Sequence, residues 1–177
     1  LANTFREIGN AGPNAEELFY TKYGAKIAAL SKSLGGLHTP EDFSEFRAEI
    51  VDPLHTNYQG IDVYACPPGC QGMVLIQALN ILEPYDVKAM GHNSAAYINL
   101  ITEALNLAFA DRDKYIGDPR FVDIPIKGLT SKEYAAEQRK RITLGQTNKV
   151  VNKTTAGDPS SYDTGNTTFF SIVDKDR

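Results

Sequence analysis

The residues whose types and order could do chemistry lie in the stretch Asp163-Thr-Gly-Asn-Thr-Thr-Phe-Phe-Ser-Ile-Val-Asp174. A polar run ends there at Asn166, and a strand-like run of Thr, Phe, Ile and Val begins at Thr167. A threonine that starts a strand becomes a nucleophile if the peptide bond before it is cut. Its new α-amine, with a pKa of about 8, can then act as the base that activates its own hydroxyl. One residue would thus supply nucleophile and base. The same Thr167-Thr168 pair would also serve simply to open a strand, because threonine is a common strand residue and the pair has no mechanism until the amine is freed.

Three other groups have chemistry-bearing residue types. Glu103, Asp111, Arg112 and Asp118 form a dense charge constellation around the end of a long helical pattern. They could act as acid–base carboxylates, but Asp111 beside Arg112 near a helix end reads first as a structural ion pair. Cys66 and Cys70 sit in Cys-Pro-Pro-Gly-Cys. Two thiols are half of a four-thiolate zinc site, and no histidine is near them in sequence, so they read as small buried or half-buried side chains rather than as metal ligands. A loop with Gly69 and Gly72 enters a helix, yet it lacks a phosphate-loop pattern, and Pro67 and Pro68 have no N–H to donate. No metal or cofactor site is expected.

Composition narrows the partners. The chain has 177 residues, 42% of them hydrophobic and 23% charged, which suits one globular domain with a real core. Eighteen basic residues against 22 acidic ones give a net charge of −4. No basic stripe interleaved with aromatics is visible, so a nucleic-acid surface is not expected. No apolar run reaches the ~20 residues of a membrane span. The chain opens at Leu1-Ala-Asn-Thr-Phe without the pattern of a signal peptide, and both of its ends read as the middle of a larger protein.

The elements that must position Thr167 follow in order. Periodicity predicts helices over 2–12 and 15–33, the second with an interruption around Tyr23-Gly24 and a cap at Gly35-Gly36. Thr39-Pro40 opens a short helix through Phe46. Strands are expected over 50–56 and 60–65, joined by a turn at 57–60. An apolar helix is predicted over 71–82. A long helix over 94–115 has Ser94 as its N-cap and Tyr97, Ile101, Ala104, Leu105 and Ala108 as its buried stripe. A brief extended piece over 122–126 and a charged surface helix over 131–142 come next. Residues 146–166 then run for 21 positions with almost nothing to bury, the signature of a loosely held or functional loop.

Taken together, these pieces resemble the γ-glutamyltransferase family of N-terminal-nucleophile hydrolases over nearly the whole chain. Six segments carry the likeness in order. The first three are Gly35-Gly36-x-x-Thr39-x-x-Asp42-Phe43, Tyr58-x-Gly60 and Pro67-Pro68-x-x-x-Gly72. Glu103-Ala104 and Ala110-Asp111-Arg112-x-x-Tyr115-x-Gly117-Asp118-Pro119-x-Phe121 follow, and Thr167-Thr168-x-x-Ser171-x-Val173-Asp174 closes the series. The fold implied is α/β, a fragment of an αββα sandwich that is itself mostly helical with a few strands. Residues 1–145 would belong to the large subunit, 146–166 to a flexible polar linker before the cleavage site, and 167–177 to the start of the small-subunit nucleophile strand.

The resemblance also implies a mechanism. Such proteins are made as one inactive chain that cuts itself before the first Thr of the pair, here at the Asn166–Thr167 junction, with Thr167 as the catalytic nucleophile. Gly165 and the linker would allow the backbone distortion this requires. The implied substrate is a γ-glutamyl amide such as glutathione, and the implied partners are the remainder of the protein's own large and small subunits. Phe169 stands where the γ-glutamyltransferases proper carry His, as in the acylase-like and amidohydrolase-like branches, so another small amide is the alternative substrate. The family's oxyanion-hole and substrate-binding residues would lie outside this segment, so the chain alone is expected to be inactive. The family is often exported and has cytosolic relatives, which leaves the compartment open. A non-catalytic helical binding module is the reading from another class.

Overall fold

The structure is a computed structural model that describes residues 1–146 and 154–163. The chain divides into two compact units, Leu1–Ile50 and Val51–Arg177. The described residues are mostly helical, with two strands.

The first unit is built from short helices whose ends are fixed by local signals. Helix α1 spans Ala2–Asn10, and a 3-10 turn at Gly12–Asn14 leads into α2, Ala15–Leu18. The interruption expected around Tyr23-Gly24 is one wide π turn, Phe19–Tyr23, before α3, Gly24–Ser33. Gly24 marks the break because a Cβ there would overlap the Phe43 side chain. Helix α3 stops at a left-handed Gly35 (φ +80°). There the Gly36 N–H bonds the Ser31 carbonyl at 2.8 Å and the Gly35 N–H bonds that of Lys32 at 3.2 Å. Helix α4, Pro40–Ser44, starts from a capping box: the Thr39 hydroxyl accepts from the Asp42 N–H, and the Asp42 carboxylate accepts from the Thr39 N–H. Across the unit, Lys22 and Tyr23 both donate to Glu7.

The second unit opens with a hairpin, β1 (Leu54–Tyr58) against β2 (Ile61–Ala65), antiparallel with Tyr58 opposite Ile61. Both Gln59 (φ 49°) and Gly60 (φ 87°) are left-handed, the geometry of a two-residue type I′ turn. The turn is therefore shorter than expected, and Asn57 and Tyr58 are strand residues. Helix α5, Gly72–Leu82, lies at the centre and packs against β1, β2, α6 (Ala95–Tyr115), α7 (Ile126–Thr130) and α8 (Lys132–Arg139). Gly72 lets α5 start tight against the end of β2, where a Cβ would overlap the Cys66 backbone. One core cluster joins Ile81, Leu82, Leu100, Ala104, Leu107 and Ala135, and a second joins Met73, Ile124, Leu129 and Tyr134. Each large apolar side chain fully buried this way contributes roughly 1.5–3 kcal/mol before the entropy of ordering is subtracted.

Three expectations are corrected. The buried face of α6 is Leu100, Glu103, Ala104, Leu107, Ala108 and Asp111, so the helix is rotated relative to the stripe through Tyr97, Ile101 and Leu105. Apolar periodicity assigns both carboxylates to solvent, whereas donors gathered around Asp111 draw it inward. The charged helix expected over 131–142 spans only Lys132–Arg139, and one of its faces is buried. Ser131 ends α7 and N-caps α8 through the Tyr134 N–H, and α8 buries Tyr134, Ala135 and Gln138. The brief extended piece expected over 122–126 is a short connection over 122–125, since Ile126 already belongs to α7.

Candidate functional site

Thr167 and the Asn166–Thr167 junction lie outside the described residues. The structure shows instead the scaffold that leads to them, ending at Asp163, three positions before Asn166. Its centre is Asp111, on the buried face of α6 and 0% exposed. Oδ2 of Asp111 accepts from Gln77 Nε2 of α5, from the Tyr134 hydroxyl of α8 at 2.8 Å and from Gln138 Nε2 of α8 at 2.7 Å. Its Oδ1 accepts the Gly157 N–H at 2.7 Å. Four donors from three parts of the chain, α5, α8 and the segment around Gly157, therefore meet one carboxylate, which is how a buried acid is tolerated. Burial first, and the bond to Asp111 second, push the Tyr134 phenol far above the usual tyrosine range, so it stays a donor.

Gly157 belongs to a ten-residue piece, 154–163, that is docked on α6, α7 and α8. Its N–H is held by Asp111 and its carbonyl accepts from the Tyr115 hydroxyl at 2.8 Å. Asp111 and Tyr115 are one helical turn apart on α6 and clamp a single peptide from both sides. Arg141 Nη2 donates to the Thr155 carbonyl at 2.6 Å. Pro159 is fully buried, and Tyr162 stacks at a tilt on Tyr134 with ring centroids 5.6 Å apart. Two glycines make the approach possible: a Cβ on Gly157 would overlap the Tyr134 hydroxyl, and one on Gly128 would overlap the Pro159 carbonyl. A 3-10 turn, Ser160–Tyr162, closes the piece. Beside it, Tyr115, Asp123, Pro125, Ser160 and Asp163 line an open cleft of about 320 Å³.

The other candidates separate. Asp111 and Arg112 do not form the ion pair expected of them. Arg112 faces Asp113 at 2.9 Å, and Asp111 takes the four donors above. Asp118 accepts the Arg120 N–H at 2.9 Å, in a turn after α6. The charge constellation is thus a buried anchor at Asp111, a second buried carboxylate at Glu103 and contacts of Arg112 and Asp118 outside the core, rather than one acid–base site. Cys66 and Cys70 are both free and exposed, not half-buried. Among the described residues no group of three or more His, Cys, Asp or Glu could hold a metal ion, and no helix is long and apolar enough to cross a membrane. Gln77, Tyr134, Gln138 and Gly157 were not legible as a group, since each sits within a different local pattern and only tertiary packing brings them to Asp111.

Comparisons with known proteins complete the picture. A family model described as Gamma-glutamyltranspeptidase matches residues 1–177. The chain is 36% identical over 177 residues to the glutathione hydrolase proenzyme of Escherichia coli strain K12, covering 99% of this chain and 30% of that protein. It is 37% identical over 146 residues to the acylase ACY 1 proenzyme of Pseudomonas sp. strain V22, covering 82% of this chain and 26% of that protein. Its fold is similar to the crystal structure of Helicobacter pylori γ-glutamyltranspeptidase, with a TM-score of 0.70 at 30% identity over 84% of this chain and 42% of that one. The chain spans about 30% of the length of the glutathione hydrolase proenzymes it matches.

Proposed function

The chain belongs to the γ-glutamyltranspeptidase family of N-terminal-nucleophile hydrolases, and from that premise we propose that it is a segment of an autoprocessing enzyme that cleaves γ-glutamyl amides such as glutathione. The observation that carries this reading is the family match along all of residues 1–177, which includes the Thr167-Thr168 pair where the polar run gives way to a strand pattern.

In the maturation step the Thr167 hydroxyl adds to the Asn166 carbonyl. The Asn166–Thr167 C–N bond breaks, the hydroxyl proton ends on the departing amine, and an ester joins Asn166 to the Thr167 side chain. Water hydrolyses that ester, leaving an Asn166 carboxylate and Thr167 with a free amine and a free hydroxyl. In turnover the amine takes the hydroxyl proton as Thr167 Oγ attacks the γ-glutamyl carbonyl, then returns it to the leaving amine. The acyl-enzyme passes to water in hydrolysis or to an amino group in transpeptidation. Residues 1–145 would supply large-subunit scaffold, 146–166 the segment before the cut and 167–177 the start of the nucleophile strand. The remaining parts of both subunits would hold the substrate and stabilise the oxyanion, so the 177-residue chain alone should be inactive.

A second substrate class is favoured by two observations, Phe169 as the third residue of the strand pattern and the 37% identity to an acylase proenzyme. The test is turnover by the full-length protein of a γ-glutamyl anilide set against a panel of small acyl amides. Release of the aniline, lost in Thr167→Ala, supports the γ-glutamyl reading. Turnover of other amides alone replaces it with the acylase reading. No new N-terminus at Thr167 and no turnover of any amide would leave a non-catalytic helical module.

A further inference from the structure

We propose that Asp111 is a positioning residue for self-cleavage: its buried carboxylate anchors Gly157 and so fixes the chain that runs into the Asn166–Thr167 bond. This inference rests on the reading of Thr167 above and adds to it the device that delivers the bond.

The two carboxylate oxygens divide their work. Oδ2 knits the helices together through Gln77, Tyr134 and Gln138, while Oδ1 accepts the Gly157 N–H. Helix packing by itself does not call for a buried acid at this point, because an apolar residue of similar size fills a core with less loss of solvation. A carboxylate is needed where a peptide with little apolar surface must be held. The piece over 154–163 is of that kind: Thr, Gly, Asp and Ser predominate, and Pro159 is its one buried side chain. Its polar hold is aimed at the backbone, from Asp111 and Tyr115 on Gly157 and from Arg141 on Thr155, and buried Pro159 and the Tyr162–Tyr134 contact add to it.

The placement links this hold to the cut. The scissile bond lies three residues beyond Asp163, so whatever fixes Asp163 limits where that bond can go. An unanchored run would begin at Gln146, twenty positions before Asn166, and the Asn166–Thr167 peptide would be presented far less often to the groups of the full-length protein that stabilise the developing oxyanion. Asp111 touches no reacting atom in this scheme. It acts through Gly157.

The test uses the full-length precursor carrying Asp111→Asn. An amide at this position keeps its oxygen toward the three side-chain donors and turns its NH2 against the Gly157 N–H, so it releases the peptide and spares the helices. Appearance of the N-terminus at Thr167, followed by intact mass, should slow at least tenfold while the melting temperature of the precursor stays within a few degrees. Tyr115→Phe, which frees the other side of the same peptide, should slow it about threefold, and it decides the matter if Asp111→Asn does not fold. The control is enzyme assembled from two chains, one ending at Asn166 and one beginning at Thr167 after removal of an initiator Met. There, Asp111→Asn should leave kcat/KM for the γ-glutamyl anilide within twofold of the unsubstituted assembly.

Cutting at the wild-type rate in both variants overturns the proposal and leaves Thr167 untouched. Equal losses in precursor and pre-cut enzyme also overturn it, because Asp111 would then be a general structural support. A wild-type precursor that never shows an N-terminus at Thr167 removes the underlying reading as well.

Discussion

The two units solve different problems with the same kind of sequence. In Leu1–Ile50 the only buried helical residues are Gly24 and Ala28, and Leu30, Leu34 and Leu37 stand exposed. Its order comes from chain-local devices: the Thr39–Asp42 capping box, the glycine cap after α3, and the reach of Lys22 and Tyr23 to Glu7. Val51–Arg177 instead closes two apolar clusters around α5 and then buries a polar hub between them. Local signals shape a segment, but only burial makes one part of a chain depend on another far away in sequence.

Substitutions can break or sharpen that contrast. The largest effect is expected in the second unit's core. Ile81→Ala, at a position 0% exposed, should cost roughly 2–5 kcal/mol in denaturant unfolding of the 177-residue chain. Gly128→Ala should cost about 1–3 kcal/mol, because its methyl must displace the Pro159 carbonyl, and it should open the docked piece to proteolysis at Tyr162.

Effects in the first unit should be smaller. Thr39→Ala removes one cap and should cost about 1 kcal/mol. The Asp42 carboxyl adds a pH signature. Its bonds from the Thr39 N–H and hydroxyl hold it below its ordinary value of 3.8. A depressed carboxyl stabilises the fold above its unfolded value and loses that stabilisation as pH falls through the folded one. Helix α4 should therefore loosen only below about pH 3.8, and Asp42→Asn should flatten that acid limb in an amide-exchange titration. Smallest of all, Leu37→Ser at 92% exposure should change stability by less than about 0.5 kcal/mol. A large loss there would contradict the contrast.

This difference also explains what could be read from sequence. Caps and turns are short-range chemistry, so Gly35-Gly36, Thr39-Pro40, Ser94 and the break at Tyr23-Gly24 were all visible in the residues themselves. The hairpin was visible too, although its turn was read two residues too long. Helix α5 announced itself by an apolar run. The face of α6 did not, because hydrophobic periodicity has no way to count a buried Asp111. Nor did the docking of 154–163, whose polar composition matches that of a loose linker until Gly157 and Pro159 meet their partners. The family could be read from six ordered segments, and the anchor that leads to Thr167 could not.

One measurement bears most directly on the central claim, that the hydroxyl of Thr167 frees its own amine. Full-length precursor is purified with Thr, Ser or Ala at position 167, and each preparation is followed by N-terminal sequencing and intact mass. The Thr and Ser proteins should yield a chain starting at residue 167, the Ser one at a different rate, and Thr167→Ala should stay whole. A Thr167→Ala protein cut at the same bond, or a wild-type protein that persists uncut, would contradict it.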